Sequence, residues 1–423
     1  MLRKIRKTMM NCKNIEIMIM SFLLFAVTTQ AQEVEYGYFM RQVAEKNAGY
    51  LAEKYNVEVA VANAQAAKVF NDPELSFTYS NNQDWNLQMG QGFETGISYT
   101  MSLGNVRGAR MKVSNKELQI AEATAADYLL NLKAEAAAAY AEAWCAAAKE
   151  KIMYDAYVNM CKIAYGDSTR LSIGDVNATD AMQSAMEAKR MKNEWLSSVS
   201  DSKNAYTRLS LFAGGLPVEK VQDELPFPFS DADKTLSELQ SLAIENRCDL
   251  RVAIISKQLS EANLKLVQAS RSMEISLNAG YSYNTKVRNE IAPAPKYHGF
   301  SVGVSIPLKF SSTNKGEVAA AKAAILQNEK NQEAAMSQIS TEVAMAFESY
   351  KTSEVILDTY NSSVIGDAET ILEHRTFGYK SGESRLIDLL EAQRAYDDVM
   401  ISYVEAKRDV FISCAELCRT VGL

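Results

Sequence analysis

Few residues of this 423-residue chain are of a kind that does covalent chemistry. There are only two histidines, His298 and His374, too few for a His-based metal site or triad. No stretch has the form of a Walker loop, a dinucleotide fingerprint, an HExxH helix or a nucleophile elbow. The reading is therefore no enzyme, no metal site and no cofactor. Beyond Cys12 lie Cys145, Cys161, Cys248, Cys414 and Cys418, an odd number whose spacing fits neither a disulfide framework nor a zinc site. They read as small buried helix residues, Cys414 and Cys418 on one face. The 18 methionines are scattered and suit packing better than soft-metal handling. What remains is acidic: Asp180, Asp388 and Glu391, each shortly after a glycine, Gly174 or Gly382. Carboxylates in a first helical turn complement the macrodipole, and the glycines serve tight turns.

These residues need helices to carry them, and most of the chain reads as helix. The exceptions are four stretches of strict period-two alternation, which put apolar groups on one strand face and small or polar groups on the other. In Phe300–Leu308 the apolar set is Phe300, Val302, Val304, Ile306 and Leu308. In 75–80 it is Leu75, Phe77 and Tyr79; in 96–103 it is Ile97, Tyr99, Met101 and Leu103. In 275–284 it is Ile275, Leu277, Ala279, Tyr281 and Tyr283. Around them run predicted helices over about 37–70, 109–165, 177–212, 236–270, 316–379 and 384–419. The second has neither Pro nor Gly and carries a 3-4-3-4 seam of Leu118, Ala121, Ala125, Tyr128 and Leu132.

The plan occurs twice. Glu74-Leu75-Ser76-Phe77 answers Glu274-Ile275-Ser276-Leu277 at an offset of 200, while Arg107-Gly108 answers Lys315-Gly316 at 208. Gly174, Asp180 and Gln183 answer Gly382, Asp388 and Glu391, again at 208. The change of eight falls in the loop between paired strands, where insertions are cheapest. Between the copies, Gly214, Gly215, Pro217, Pro226 and Pro228 interrupt all periodicity. The expected organisation is a signal peptide over 1–31, a first structural repeat over 32–213, a linker over 214–235 and a second repeat over 236–423.

The signal reading rests on Arg3, Lys4, Arg6, Lys7 and Lys13 before an apolar run from Ile17 to Val27, then Thr29-Gln30-Ala31. Its removal would leave 40 basic and 51 acidic residues, a net charge of −11, unsuited to nucleic acid. No later run is long and apolar enough for a transmembrane helix, so any span must be made of strands. Aromatic residues near the strand ends, Tyr79, Trp85, Phe93, Tyr283, Tyr297, Phe300 and Phe310, suit an interfacial girdle. Four strands cannot close a wall alone, because open edges are excluded from lipid. Two copies would give eight strands, three twelve and four sixteen. The competing readings are a soluble α+β protein with its sheet on a core and a periplasmic coiled-coil or adaptor-like structural protein without a membrane barrel.

The whole mature chain resembles the TolC-like outer-membrane efflux proteins. The likeness is carried by the duplication, by Pro73-Glu74-Leu75-Ser76, by Ile306-Pro307-Leu308 before Gly316, and by Tyr379-Lys380-Ser381-Gly382-Glu383-Ser384-Arg385-Leu386-Ile387-Asp388-Leu389-Leu390-Glu391-Ala392-Gln393. That last segment is similar to the family's Y-x-x-G-x-x-S/R-x-x-D-x-L-x-A-Q pattern. The resemblance implies a mostly α protein with transmembrane β: a homotrimer forming a 12-stranded β-barrel on a 12-helix α-barrel tunnel. It implies an exit duct in a tripartite efflux or secretion system, sited in the outer membrane of a Gram-negative bacterium. The implied partners are a periplasmic adaptor (membrane fusion) protein, an inner-membrane RND or ABC transporter and outer-membrane lipid. Leu75, Phe77, Tyr79, Ile97, Tyr99, Met101, Leu277, Tyr281, Val302, Val304 and Ile306 would face lipid. Gly174 and Gly382 would shape the periplasmic tip, with Asp180, Ser384, Arg385, Asp388 and Glu391 at its constriction, where acidic groups can select cations. The chain departs from the family pattern where an arginine is usual: Ser384 stands there with Arg385 beside it, and Val176 and Asn177 stand in the first repeat.

Overall fold

The computed structural model describes residues 33–82, 88–226, 234–307 and 314–423. The expected signal peptide, Trp85, Pro228, Leu308 and Phe310 lie outside these. The elements are β1 (Glu33–Val34), α1 (Tyr36–Lys46), α2 (Ala48–Ala66), β2 (Glu74–Asn81), β3 (Gln91–Ser102), α3 (Val106–Ser172), α4 (Ala178–Phe212) and β4 (Lys220–Val221). There follow α5 (Leu236–Asn246), α6 (Cys248–Ala269), β5 (Glu274–Asn284), β6 (Tyr297–Ser305), α7 (Lys315–Thr359), a π-helical turn (Tyr360–Val364), α8 (Ile365–Ser381) and α9 (Leu386–Val421). Two compact units form. One comprises Met1–Ala48, Leu132–Asp233 and Ala346–Cys418; the other comprises Gly49–Asn131, Lys234–Met345 and Arg419–Leu423. Each unit thus draws on both sequence repeats.

Within the second unit, β2, β3, β5 and β6 make one antiparallel sheet in that order. The hairpins β2–β3 and β5–β6 are those expected from alternation. Their union through β3 and β5, from Gly92↔Asn284 to Ser102↔Glu274, joins the two repeats. Thr100 Oγ1 and Ser276 Oγ lie 2.7 Å apart across that joint.

The two helices expected over 37–70 and 236–270 are each broken, at Asn47 and at Arg247, positions 200 apart. Both residues leave helical geometry for extended backbone, with ψ of 119° and 125° respectively. Their side chains then donate to a carbonyl near the end of a later helix: Asn47 Nδ2 to Phe212 O at 3.3 Å, and Arg247 to Thr420 O at 3.4 Å. Those acceptors are 208 apart, so the break is a feature of the repeat. Neither break was readable from the sequence, since Asn and Arg are ordinary helix residues and only the tertiary acceptor favours the extended form. A second departure is the π-helical turn at Tyr360–Val364 in the long helix expected over 316–379.

In the first unit the Ala-rich part of α3 is the core. Ala136, Ala137, Ala141 and Ala143 are almost fully buried, and Ala137 and Ala141 pack against Phe411 and Ala415 of α9. Small side chains let helix axes approach closely. The expected seam is only partly kept: Ala125 and Leu132 are buried, whereas Tyr128 is exposed and Ala123 takes a buried place. A straight 3.6-residue helix drifts away from a 3.5 repeat. The described part of the linker docks here. β4 pairs in parallel with β1, Val34↔Val221, Tyr140 donates its hydroxyl hydrogen to Val34 O at 2.8 Å, and Trp144 donates to Asp223 O at 2.9 Å.

Candidate functional site

The sheet and the turns were the two places singled out by sequence, and each is described in its own unit. In the sheet, register puts Leu75 opposite Ile97, Tyr79 opposite Phe93, Tyr99 opposite Leu277, Tyr281 opposite Phe300, and Leu277 opposite Val304. Met101 and Val302 fall on the same face, and Ile306 lies one step past β6. Phe77, on that face too, stands opposite Thr95. Much of this face is bare: Leu75 is 80% exposed, Phe77 73% and Val302 89%. One cross-strand row is aromatic throughout: Tyr79, Phe93, Tyr283 and His298, with ring centroids 5.0, 6.4 and 5.0 Å apart. Sequence reading named the first three but not His298, whose place in the row only register reveals.

Apart from Tyr297 at the start of β6, the opposite face is made of Ser, Thr, Gly, Asn and Glu. Glycine and serine interleave across strands there. A Cβ at Gly92 would come 2.6 Å from Ser80 Oγ, one at Gly280 2.7 Å from Ser301 Oγ, and one at Gly299 2.6 Å from Ser282 Oγ. At these three glycines the small face is tight, whereas a Cβ at Gly303 on the same face would meet open space. The edges β2 and β6 pair with no other strand among the described residues.

The turns after α3 and α8 lie side by side in the first unit. Gly174 and Gly382 both take left-handed backbone, φ 80° and 81°, which closes each helix through equivalent bonds: Asp175 N to Arg170 O at 2.9 Å and Glu383 N to Gly378 O at 2.8 Å. The turns meet through Arg170. Its guanidinium lies 5.5 Å from the Tyr379 ring centroid, and its Nε donates to Asp175 Oδ2 at 2.6 Å. Tyr379 in turn donates its hydroxyl hydrogen to buried Asp167 Oδ1 at 2.7 Å. Burial, then the Asp167 carboxylate, push the Tyr379 phenol well above its usual range. Beneath the turns, Met160, Met191, Leu386, Leu389 and Leu390 form a buried cluster. Beside it, a cleft of about 700 Å³ is lined by Ile163, Asp167, Arg170, Leu372 and Phe377 among others.

The expected constriction residues start the returning helices. Asp180 N donates to Asn177 Oδ1 at 2.8 Å, and Asn177 Nδ2 donates to Asp180 Oδ2 at 2.8 Å. In the second repeat, Arg385 N and Nε both donate to Asp388 Oδ2 at 3.3 Å, and the Arg385 side chain holds the Asp388 carboxyl below its usual range. Asp180 and Asp388 therefore serve as helix-start groups, with Arg385 satisfied inside its own chain. Ser384 donates its backbone N–H to Gly378 O at 3.0 Å, and Glu391 is exposed. Sequence reading gave no role to Asp167 or Tyr379, although Tyr379 opens the quoted motif.

Comparisons with known proteins agree on one class. Residues 239–423 match the sequence model of the Outer membrane efflux protein family. The chain is 19% identical over 334 residues to the cobalt-zinc-cadmium resistance protein CzcC of Cupriavidus metallidurans, covering 77% of this chain and 76% of that one. It is 24% identical over 206 residues to the outer membrane protein TolC of Vibrio cholerae, covering 48% of this chain and 47% of that one. The CmeC outer membrane channel of Campylobacter jejuni has the same fold: TM-score 0.75 at 16% identity, over 92% of this chain and 85% of that one. The fold is thus that of outer-membrane channel proteins. Over residues 239–423 the chain matches the outer-membrane efflux protein family, and its relatives include the CzcC and TolC proteins.

Proposed function

We propose that the chain is a passive exit duct, the outer-membrane component of a tripartite efflux or secretion system. The observation that carries this reading is the sheet: one face bare and apolar, the other small and polar, with both edges open. In lipid such a sheet is stable only if its edges pair, and copies of this chain supply the pairing. Three copies give a 12-stranded barrel, with bulky groups outside and the interleaved glycines and serines on the tighter inner side. The helices then form a periplasmic tunnel whose tip is the turn pair. A periplasmic adaptor and an inner-membrane RND or ABC transporter deliver the substrate. The adaptor-like soluble alternative has no use for an apolar sheet face left bare.

Membrane fractionation with heat-modifiable gel mobility, followed by conductance in planar bilayers, tests the duct. An outer-membrane, heat-modifiable species with steady conductance is expected; a soluble monomer would overturn the reading. Asp388→Ala with Glu391→Ala tests the tip. If these carboxylates select ions, cation preference measured by reversal potential falls. Unchanged selectivity would leave them only their helix-start role.

A further inference from the structure

Between α4 and α9 lies a charge cluster with an odd member. Buried Glu187 accepts from Arg190 at 2.7 Å and from Arg394 at 2.8 Å, and Arg190 also bridges to Glu194. Two arginines and two glutamates cancel. The fifth group, Asp397, is only 5% exposed and has no cation of its own. Its Oδ1 accepts from Gln393 Nε2 at 2.9 Å, while Oδ2 is buried without a hydrogen-bond partner. The Nε of Arg190 is likewise buried and unpartnered. A charged Asp397 would leave the cluster one negative charge in excess, on a carboxylate that is itself buried from water. Burial, helped by Asp398 and Glu194 and opposed by Gln393 and Arg190, pushes its carboxyl up to about 7. Burial, then the Glu369, Asp397 and Asp155 carboxylates, raise the neighbouring Tyr396 phenol.

The geometry points to a proton-operated latch: Asp397 closes the α4–α9 seam while it carries a proton, and losing that proton loosens the seam. The proposal rests on the duct reading for its consequence, a tunnel whose helix packing near the turns responds to pH. It is independent of the helix-start carboxylates Asp180 and Asp388, which are tied to their own capping groups. The direction follows from linkage. A carboxyl raised in the folded state favours packing fully below its unfolded value, and that contribution is lost as pH rises through the folded value. The seam is therefore tight in mild acid and looser above neutrality.

Hydrogen exchange of the full chain in detergent, corrected for the intrinsic pH dependence of exchange, reads the seam directly. Protection of amides around 187–194 and 393–398 should fall about threefold or more from mildly acidic to mildly alkaline pH. Asp397→Asn, which keeps the shape but cannot ionise, should abolish that step and remove a protonated-carboxyl infrared band. Glu194→Gln removes a facing negative charge and should move the step to lower pH, which keeps the test decisive if the first variant does not fold. A wild-type profile without a step, or an unchanged step and band in Asp397→Asn, would overturn the latch. A conducting channel lacking the step refutes the latch alone; a protein showing the step but no conductance refutes the duct alone.

Discussion

At the scale of single residues, the buried Asp167 carboxylate depends on the Tyr379 hydroxyl, because Oδ1 accepts from it and Oδ2 has no hydrogen-bond partner. Tyr379→Phe removes the one donor without changing the ring, and should cost about 1–3 kcal/mol, measured by thermal or denaturant unfolding. Since the phenol is held protonated above its ordinary value, its contribution is complete below about pH 10 and is lost only above it. Arg247 is the complementary case. Only 8% of its side chain is exposed, and it bridges Asp249 and Glu342, each at 2.5 Å. Both carboxyls, opposed by burial, are held below their usual range, Asp249 by Arg247 and Glu342 by Gln338 and then Arg247. Their contribution is present above the ordinary carboxylate range and is lost as pH falls through the depressed values. Arg247→Met should cost about 2–3 kcal/mol, toward the lower end for a buried pair because the carboxylates are partly exposed. It should also flatten the acid limb of a stability-versus-pH curve.

At the scale of elements, the sheet is specified by two different kinds of tolerance. Its apolar face is open at Leu75, Phe77 and Val302, whereas its small face is tight at Gly92, Gly280 and Gly299. Gly280→Val should impair assembly into the heat-modifiable species, because the new side chain meets Ser301 Oγ. Adding Ser301→Ala removes that oxygen and should restore part of the assembled fraction; equal impairment in both variants would count against the contact. The helix pairs show a similar economy. Arg247 caps a break, binds two carboxylates and reaches Thr420 O, whereas its repeat counterpart Asn47 reaches Phe212 O. The two repeats have the same geometry there and different chemistry.

At the scale of the molecule, the β2 and β6 edges, unpaired among the described residues, and the bare apolar face call for company. Val302 is 89% exposed, so Val302→Lys should leave the stability of an isolated subunit nearly unchanged. In a lipid-embedded barrel the same charge should cost about 2–4 kcal/mol near the midplane. The assembled, heat-modifiable fraction in membrane preparations, compared with that of Val302→Ala, separates the two. Equal assembly would place this face away from lipid.

Much of this was decided by local sequence. Period-two alternation fixed four strands and which face of each is apolar, because side-chain direction in a strand follows from residue parity alone. The repeat offset of 208 located the left-handed glycines of two turns, Gly174 and Gly382, since a tight turn after a helix restricts the residue it can use. Other features needed the folded chain. The β3–β5 joint, the helix breaks at Asn47 and Arg247, the docking of 218–223 on α3, and the burial of Asp167 and Asp397 all rest on groups far apart in sequence. Whether an Asp is a surface cap, as at 388, or an isolated buried acid, as at 397, depends on what packs over it. Residue type and spacing carry no record of that.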